Sequence, residues 1–178
     1  MAKSIVFIDT EVGVDDHKIH DIGAVRQDRA YFHSASVRNF VEFIAGAEYI
    51  CGHNILHHDL KYIHDSLGYE LRVTVIDTLY LSPLLFPKRP YHALLKDDKL
   101  QTEQLNDPVN DCQKAASLFY DEVNAFFDLP PKVKQIFCCL LYDHPEFSGF
   151  FQYVNFRPYK AKIYELIHME YEGRICTN

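Results

Sequence analysis

The stretch Ile5-Val6-Phe7-Ile8 is apolar at every position and runs straight into Asp9-Thr10-Glu11. A strand with one face in solvent alternates apolar and polar residues, whereas one that is apolar throughout is covered on both faces. Residues 4–8 are therefore expected in the middle of a sheet with helices on either side, an α/β arrangement. Side chains two apart on a strand share a face. Asp9 and Glu11 then project together from the end of the strand. Neighbouring carboxylates repel unless a cation neutralises them. A metal site is one reading; the other is that Asp9 ends the strand and Glu11 sits in a solvated turn.

The rest of the chain supplies the layers. Ile19–Arg26 reads as a second strand and 30–33 as a short third, giving an antiparallel meander. Ser34 or Ser36 caps a helix on which Val37, Phe40, Val41 and Ile44 recur at helical spacing. A strand over 48–52 precedes a helical stripe of Ile55, Leu56, Leu60, Ile63 and Leu67, closed by Gly68. Val73–Ile76 reads as a strand and Thr78–Phe86 as a helix stopped by Pro87. Residues 87–108, rich in Lys and Asp, read as loop with some helix. Val109–Phe127 carries the longest helical pattern, Pro130-Pro131 breaks it, and Val133–Tyr142 resumes it. The order predicts a mixed five-stranded sheet flanked by helices, with residues 1–142 as one domain. Residues 143–178 are dense in aromatics expected to pack a core or an interface, and read as a helical extension or a junction to a further domain.

Composition narrows the function classes. A chain of 178 residues, 48% hydrophobic and 24% charged, is long and apolar enough for one ordered core. No apolar run approaches the ~20 residues that span a bilayer. The few apolar residues before Asp9 are too short for a signal peptide. A cytoplasmic protein without a membrane partner is the expectation. Five cysteines with no CxxC argue against a disulfide scaffold or a zinc ribbon. Cys51 and Cys112 are expected to be buried. With 18 basic and 25 acidic residues the net charge is −7, which excludes a broadly basic phosphate-binding surface. Nucleic acid would have to be held by a local basic strip and by divalent cations, which take oxygen ligands.

Two further acidic segments stand out. Gly52-His53-Asn54-Ile55-Leu56-His57-His58-Asp59 runs from a strand end into a helix, with Asp59 in its first turns. His53 and His57 have HxxxH spacing but lack the Glu of a metalloprotease helix, which disfavours zinc. In Asn106-Asp107-Pro108-Val109-Asn110-Asp111, Asp107 suits an N-cap and Pro108 a first turn. Asp111 falls in that turn, where the helix dipole alone would favour it.

Taken in this order, Phe-Ile-Asp9-Thr-Glu11, Gly-His-Asn-Ile-x-x-x-Asp59 and the helix-opening Asp111 resemble the DEDD superfamily of 3′–5′ exonucleases. The similarity is to its DnaQ-like and RNase T-like group and covers roughly residues 4–127, including Ile22-Gly23-Ala24-Val25 of the second strand. It implies an RNase H-like fold. It also implies that Asp9, Glu11, Asp59 and Asp111 bind two Mg²⁺ or Mn²⁺ ions about 4 Å apart, with Asp9 bridging. One ion would activate a water against the terminal phosphodiester and the other would stabilise the leaving 3′ oxygen. The implied substrate is a single-stranded end, DNA in preference to RNA. Thr10, His53, Asn54 and Asn106, with Lys88, Arg89 and Lys96, are the implied substrate contacts.

One departure from the family matters. Its general base is a His five residues before the last Asp, or a Tyr four before; here Asn106 and Asp107 stand there. A neutral amide accepts no proton at a useful pKa. His92 folding back into the site, Asp107 as a weak base, or metal-activated water alone would have to serve. A catalytically degenerate domain kept for binding nucleic acid or protein is the alternative. Residues 52–60 and 91–100 are also similar to exonuclease modules fused ahead of RecQ-like helicases, which implies a linked or associated helicase domain.

Overall fold

The computed structural model describes residues 3–94, 107–159 and 162–174. Strand β1 (Ile5–Val12) pairs antiparallel with β2 (Ile19–Arg26), and β2 antiparallel with β3 (Tyr31–His33). On its other edge β1 runs parallel to β4 (Tyr49–Gly52), and β4 parallel to β5 (Thr74–Asp77). The order β3-β2-β1-β4-β5 makes β1 the central strand of a mixed five-stranded sheet, consistent with an RNase H-like fold.

Helices cover both faces. Val6, Ile8, Ile22, Ala24 and Ile50 pack with Phe40 of α1 (Val37–Phe43) and with Leu60 and Ile63 of α2 (Asp59–Leu67). Ile5, Phe7, Tyr49, Cys51 and Ile76 pack against α3 (Thr78–Leu85), α4 (Pro108–Asp128), α5 (Pro131–Leu141) and α6 (Pro145–Tyr153). The alternation along β1 thus sends odd residues to the α4 side and even residues to the α2 side. Cys51 and Cys112 are buried as small core residues.

Two elements differ from the sequence expectation. β1 does not stop at Asp9, because β2 keeps pairing with it through Thr10↔Ile22, Glu11↔Asp21 and Val12↔Ile19. α2 starts at Asp59 rather than Ile55; residues 53–58 form turns, with Asn54 at φ 66°. The aromatic segment after Pro145 packs into the core. Phe150 and Phe151 are buried with Phe126, and Phe147, Tyr153 and Phe156 lie against them. α6 approaches β5 so closely that a Cβ on Gly149 would stand 2.0 Å from the Val75 carbonyl oxygen. Lys3 fastens the other end of α6. Its ammonium donates to the carbonyls of Gln152 (2.5 Å) and Tyr153 (2.6 Å) and lies over the Tyr49 and Tyr153 rings. α7 (Ile163–Tyr171) packs on α5.

α4 buries one acidic side chain in this core. Both carboxylate oxygens of Glu122 are enclosed without a hydrogen-bond partner among the described residues. Burial, with a smaller push from Asp77, raises its pKa from 4.5 to about 9. The group is neutral in the folded protein and ionised in the unfolded chain at neutral pH. Its contribution therefore grows less favourable as pH rises from the unfolded value towards the folded one. Glu122→Gln should stabilise the protein by on the order of 2 kcal/mol at neutral pH, read by urea unfolding. The gain should widen between about pH 5 and pH 9; an equal difference at both ends would mean that Glu122 is not held neutral.

Candidate metal centre

The end of β1 distributes its side chains between the layers. Asp9 and Glu11 continue the Ile5/Phe7 face towards α4, and Thr10 continues the Val6/Ile8 face towards α2. Gly23 is the β2 residue opposite Asp9. A Cβ there would lie 2.4 Å from the Pro108 carbonyl carbon and 2.6 Å from the Val109 nitrogen, so the missing side chain lets α4 begin directly on the sheet. Asp107 caps that helix, its Oδ1 accepting from Val109 N–H at 2.9 Å, with Pro108 in the first turn. Asp111 is thereby brought to β1. Ligand oxygens of Asp9, Glu11 and Asp111 all lie within 4.8 Å of one another, a group that could hold a metal ion.

Asp59 arrives from the other layer. It is only 1% exposed, and its Oδ1 accepts from Thr10 N–H at 2.7 Å and from the Thr10 hydroxyl at 2.8 Å. It lines the same cavity but stands outside the group of three. The turns that deliver it hang on Asp77. That carboxylate accepts from Asn54 N–H (2.8 Å), Leu56 N–H (3.1 Å) and Leu79 N–H (3.0 Å), so one side chain caps α3 and ties down the 53–58 segment. His53 is fixed beside it. The Thr78 hydroxyl donates to the Gly52 carbonyl (3.3 Å), which leaves its oxygen to accept from His53 Nδ1–H (2.9 Å). Burial lowers the His53 pKa, in keeping with a neutral ring.

These residues surround a cavity of about 330 Å³ lined by Asp9, Glu11, His53, Asn54, Asp59 and Asp111, with His58 at its side. Burial, followed by repulsion from Asp59, Asp111 and Glu11, pushes the Asp9 pKa up to about 8. Asp59 raises the pKa of His58, whose Nδ1 lies 3.8 Å from Asp59 Oδ1. Left to itself, Asp9 keeps its proton at neutral pH. A bound cation would reverse that preference, and an all-oxygen donor set suits a hard cation.

Three other expected site residues are placed elsewhere. His92 does not reach the carboxylate cavity; its Nδ1 lies 2.9 Å from Ser82 Oγ and it lines a neighbouring cavity. Arg89 lines that second cavity, with its guanidinium over the Phe86 ring. Lys88 lines a further cavity with Leu85 and Pro87 and is not in the lining of the carboxylate cavity. Lys96 and Asn106 fall outside the described residues. Sequence reasoning missed Gly23, Asp77 and Thr78 as positioning residues. The signal for Asp77 was present, an Asp between a β-branched strand and a helix.

No protein-family model matches the chain, and no curated protein matches it. Among solved structures it is similar to the family B DNA polymerase from the hyperthermophilic archaeon Pyrobaculum calidifontis, at 14% identity and a TM-score of 0.46. The match covers 85% of this chain and 29% of the polymerase chain, so this chain spans under a third of that protein.

The Gly23 contact yields a sharp expectation. Gly23→Ala should push the start of α4 off the sheet and carry Asp111 away from Asp9. Mn²⁺ affinity, measured by isothermal titration, should fall by at least about tenfold in protein that still folds. Unchanged Mn²⁺ affinity would show that Asp111 does not depend on this approach.

Proposed function

We propose that the chain is a metal-dependent 3′–5′ exonuclease that removes nucleotides from single-stranded ends, DNA in preference to RNA. One observation carries this reading. Asp9, Glu11 and Asp111, from separated segments that resemble the DEDD motifs in order, converge within 4.8 Å in a cavity that Asp59 also lines.

Asp9, Glu11 and Asp111 would hold a divalent cation, and Asp59 would complete a second position. When bound, such ions lower the pKa of a water and offset charge on the phosphate and on the leaving oxygen. The chain's own residues do the positioning. Thr10 holds Asp59 in one orientation through two hydrogen bonds. His53, fixed by Thr78, and Asn54, fixed by Asp77, form a rigid wall for the terminal nucleotide. No described side chain is assigned as general base, since His92 is engaged by Ser82 in the neighbouring cavity. Turnover is accordingly expected to be slow, because a general base contributes ~10²–10⁴-fold in rate.

The test is digestion of a 5′-labelled single-stranded DNA in Mn²⁺ or Mg²⁺. The expected result is a ladder shortening from the 3′ end, lost with chelator and lost in Asp9→Asn and Asp59→Asn. Mn²⁺ should also raise the melting temperature of the wild type but not of Asp9→Asn, since a ligand that binds only the folded state stabilises it. Folded protein that binds the oligonucleotide and leaves it uncut would instead be a non-catalytic domain kept for binding.

A further inference from the structure

We propose that Lys114 is a phosphate-binding residue and that the cavity next to the carboxylates receives the nucleotide adjoining the bond to be cut. The inference rests on the reading of the carboxylate cavity as the place where a phosphodiester is held. Lys114 stands one helical turn after Asp111 on α4, and its ammonium lies 3.3 Å from Asp111 Oδ1. It lines not the carboxylate cavity but the second one, about 580 Å³, between α3, α4 and residues 89–94. The two cavities share Ala93 and Leu94 as a common wall.

Their charges are opposed. The first cavity is walled by Asp9, Glu11, Asp59 and Asp111. The second brings Arg89 and Lys114 together against Asp121, with the hydroxyls of Ser82 and Ser117 and the apolar side chains of Leu94 and Leu118. Cations, hydroxyls and apolar wall in one concavity match the phosphate, sugar and base of a nucleotide, and the volume lies within the usual ~300–1,000 Å³ of ligand sites. A polyanionic strand can pass from this cavity into an acidic one only if cations meet it at the boundary. Lys114 is at that boundary. Its contact with Asp111 is also in competition with a divalent cation for the same carboxylate. A substrate phosphate at the boundary would compete with Asp111 for the Lys114 ammonium in the same way.

The experiment measures binding of a short 5′-fluorescein oligothymidylate by anisotropy in Ca²⁺ across a salt series. It compares the wild type with Lys114→Gln and Lys114→Arg. Isothermal titration with Mn²⁺ and cleavage in Mn²⁺ run alongside. Lys114→Gln should weaken binding about tenfold and reduce the salt slope by about 0.7, the value of one phosphate contact to a single strand. Lys114→Arg should restore both, and Lys114→Gln should bind Mn²⁺ at least as tightly as the wild type. Four results would overturn the proposal: no oligonucleotide binding by the wild type, an unchanged salt slope in Lys114→Gln, loss of Mn²⁺ affinity in that variant, or displacement of the strand by inorganic phosphate at matched ionic strength. The third would make Lys114 a support for Asp111 and the fourth would make the cavity a free-anion site. The outcomes separate from those of the exonuclease reading. Lys114-dependent binding without cleavage sinks that reading and keeps this site, whereas cleavage indifferent to Lys114 does the reverse.

Discussion

Carboxylate repulsion is the constraint around which this fold is arranged. Oxygens of Asp9, Glu11 and Asp111 stand within 4.8 Å of one another, and burial, followed by the charges of Asp59, Asp111 and Glu11, pushes the Asp9 pKa up to about 8. Such a group separates unless rigid elements oppose it. Here Asp9 and Glu11 share one face of the central strand, and Asp111 is on a 21-residue helix seated on β2. Two apolar clusters, one on each face of the sheet, supply the stability that the charged end gives up.

The strand's period of two decides which layer each group meets. Asp9 and Glu11 turn to the α4 side, where Asp111 waits, while Thr10 turns to the α2 side and grips Asp59. A slip of one residue between β1 and β2 would exchange these partners, setting Thr10 towards α4 and the two acids towards Asp59. The Gly23 contact guards the register, since only the residue opposite Asp9 can be the one without a side chain.

Much of this was legible in the residues. The apolar run ending in Asp9-Thr10-Glu11 was enough to put two carboxylates on one strand face, and Asp107-Pro108 enough to start a helix with Asp111 in its first turn. What could not be read depended on contacts between distant segments. Residues 55–58 carry helical spacing, yet the Asp77 carboxylate captures the amides of Asn54 and Leu56 and holds the segment in turns until Asp59. Tertiary hydrogen bonding overrode local propensity there. Gly23 reads as an ordinary strand glycine until the α4 backbone is seen against it. His92 was a reasonable substitute for a missing base on residue type alone, but its imidazole is held by Ser82 in the neighbouring cavity. The i, i+3 spacing of Asp111 and Lys114 was visible throughout, and its meaning waited on the cavity beyond it.

The Lys3 ammonium, bonded to carbonyls 149 and 150 residues further along, has a consequence for how the chain is made. The strand at the centre of the sheet is made well before the helix that clasps its leading end. β1 can pair early with its hairpin neighbour β2. Its α4 face, however, stays bare until residues 108–153 have been synthesised, since Phe119, Phe126, Phe150 and Phe151 all come from there. Contacts this distant along the chain slow folding and prolong the exposure of apolar surface. Between the making of β1 and that of α6, the nascent chain carries a sheet whose α4 face is uncovered, and an exposed apolar face of that kind is prone to aggregate.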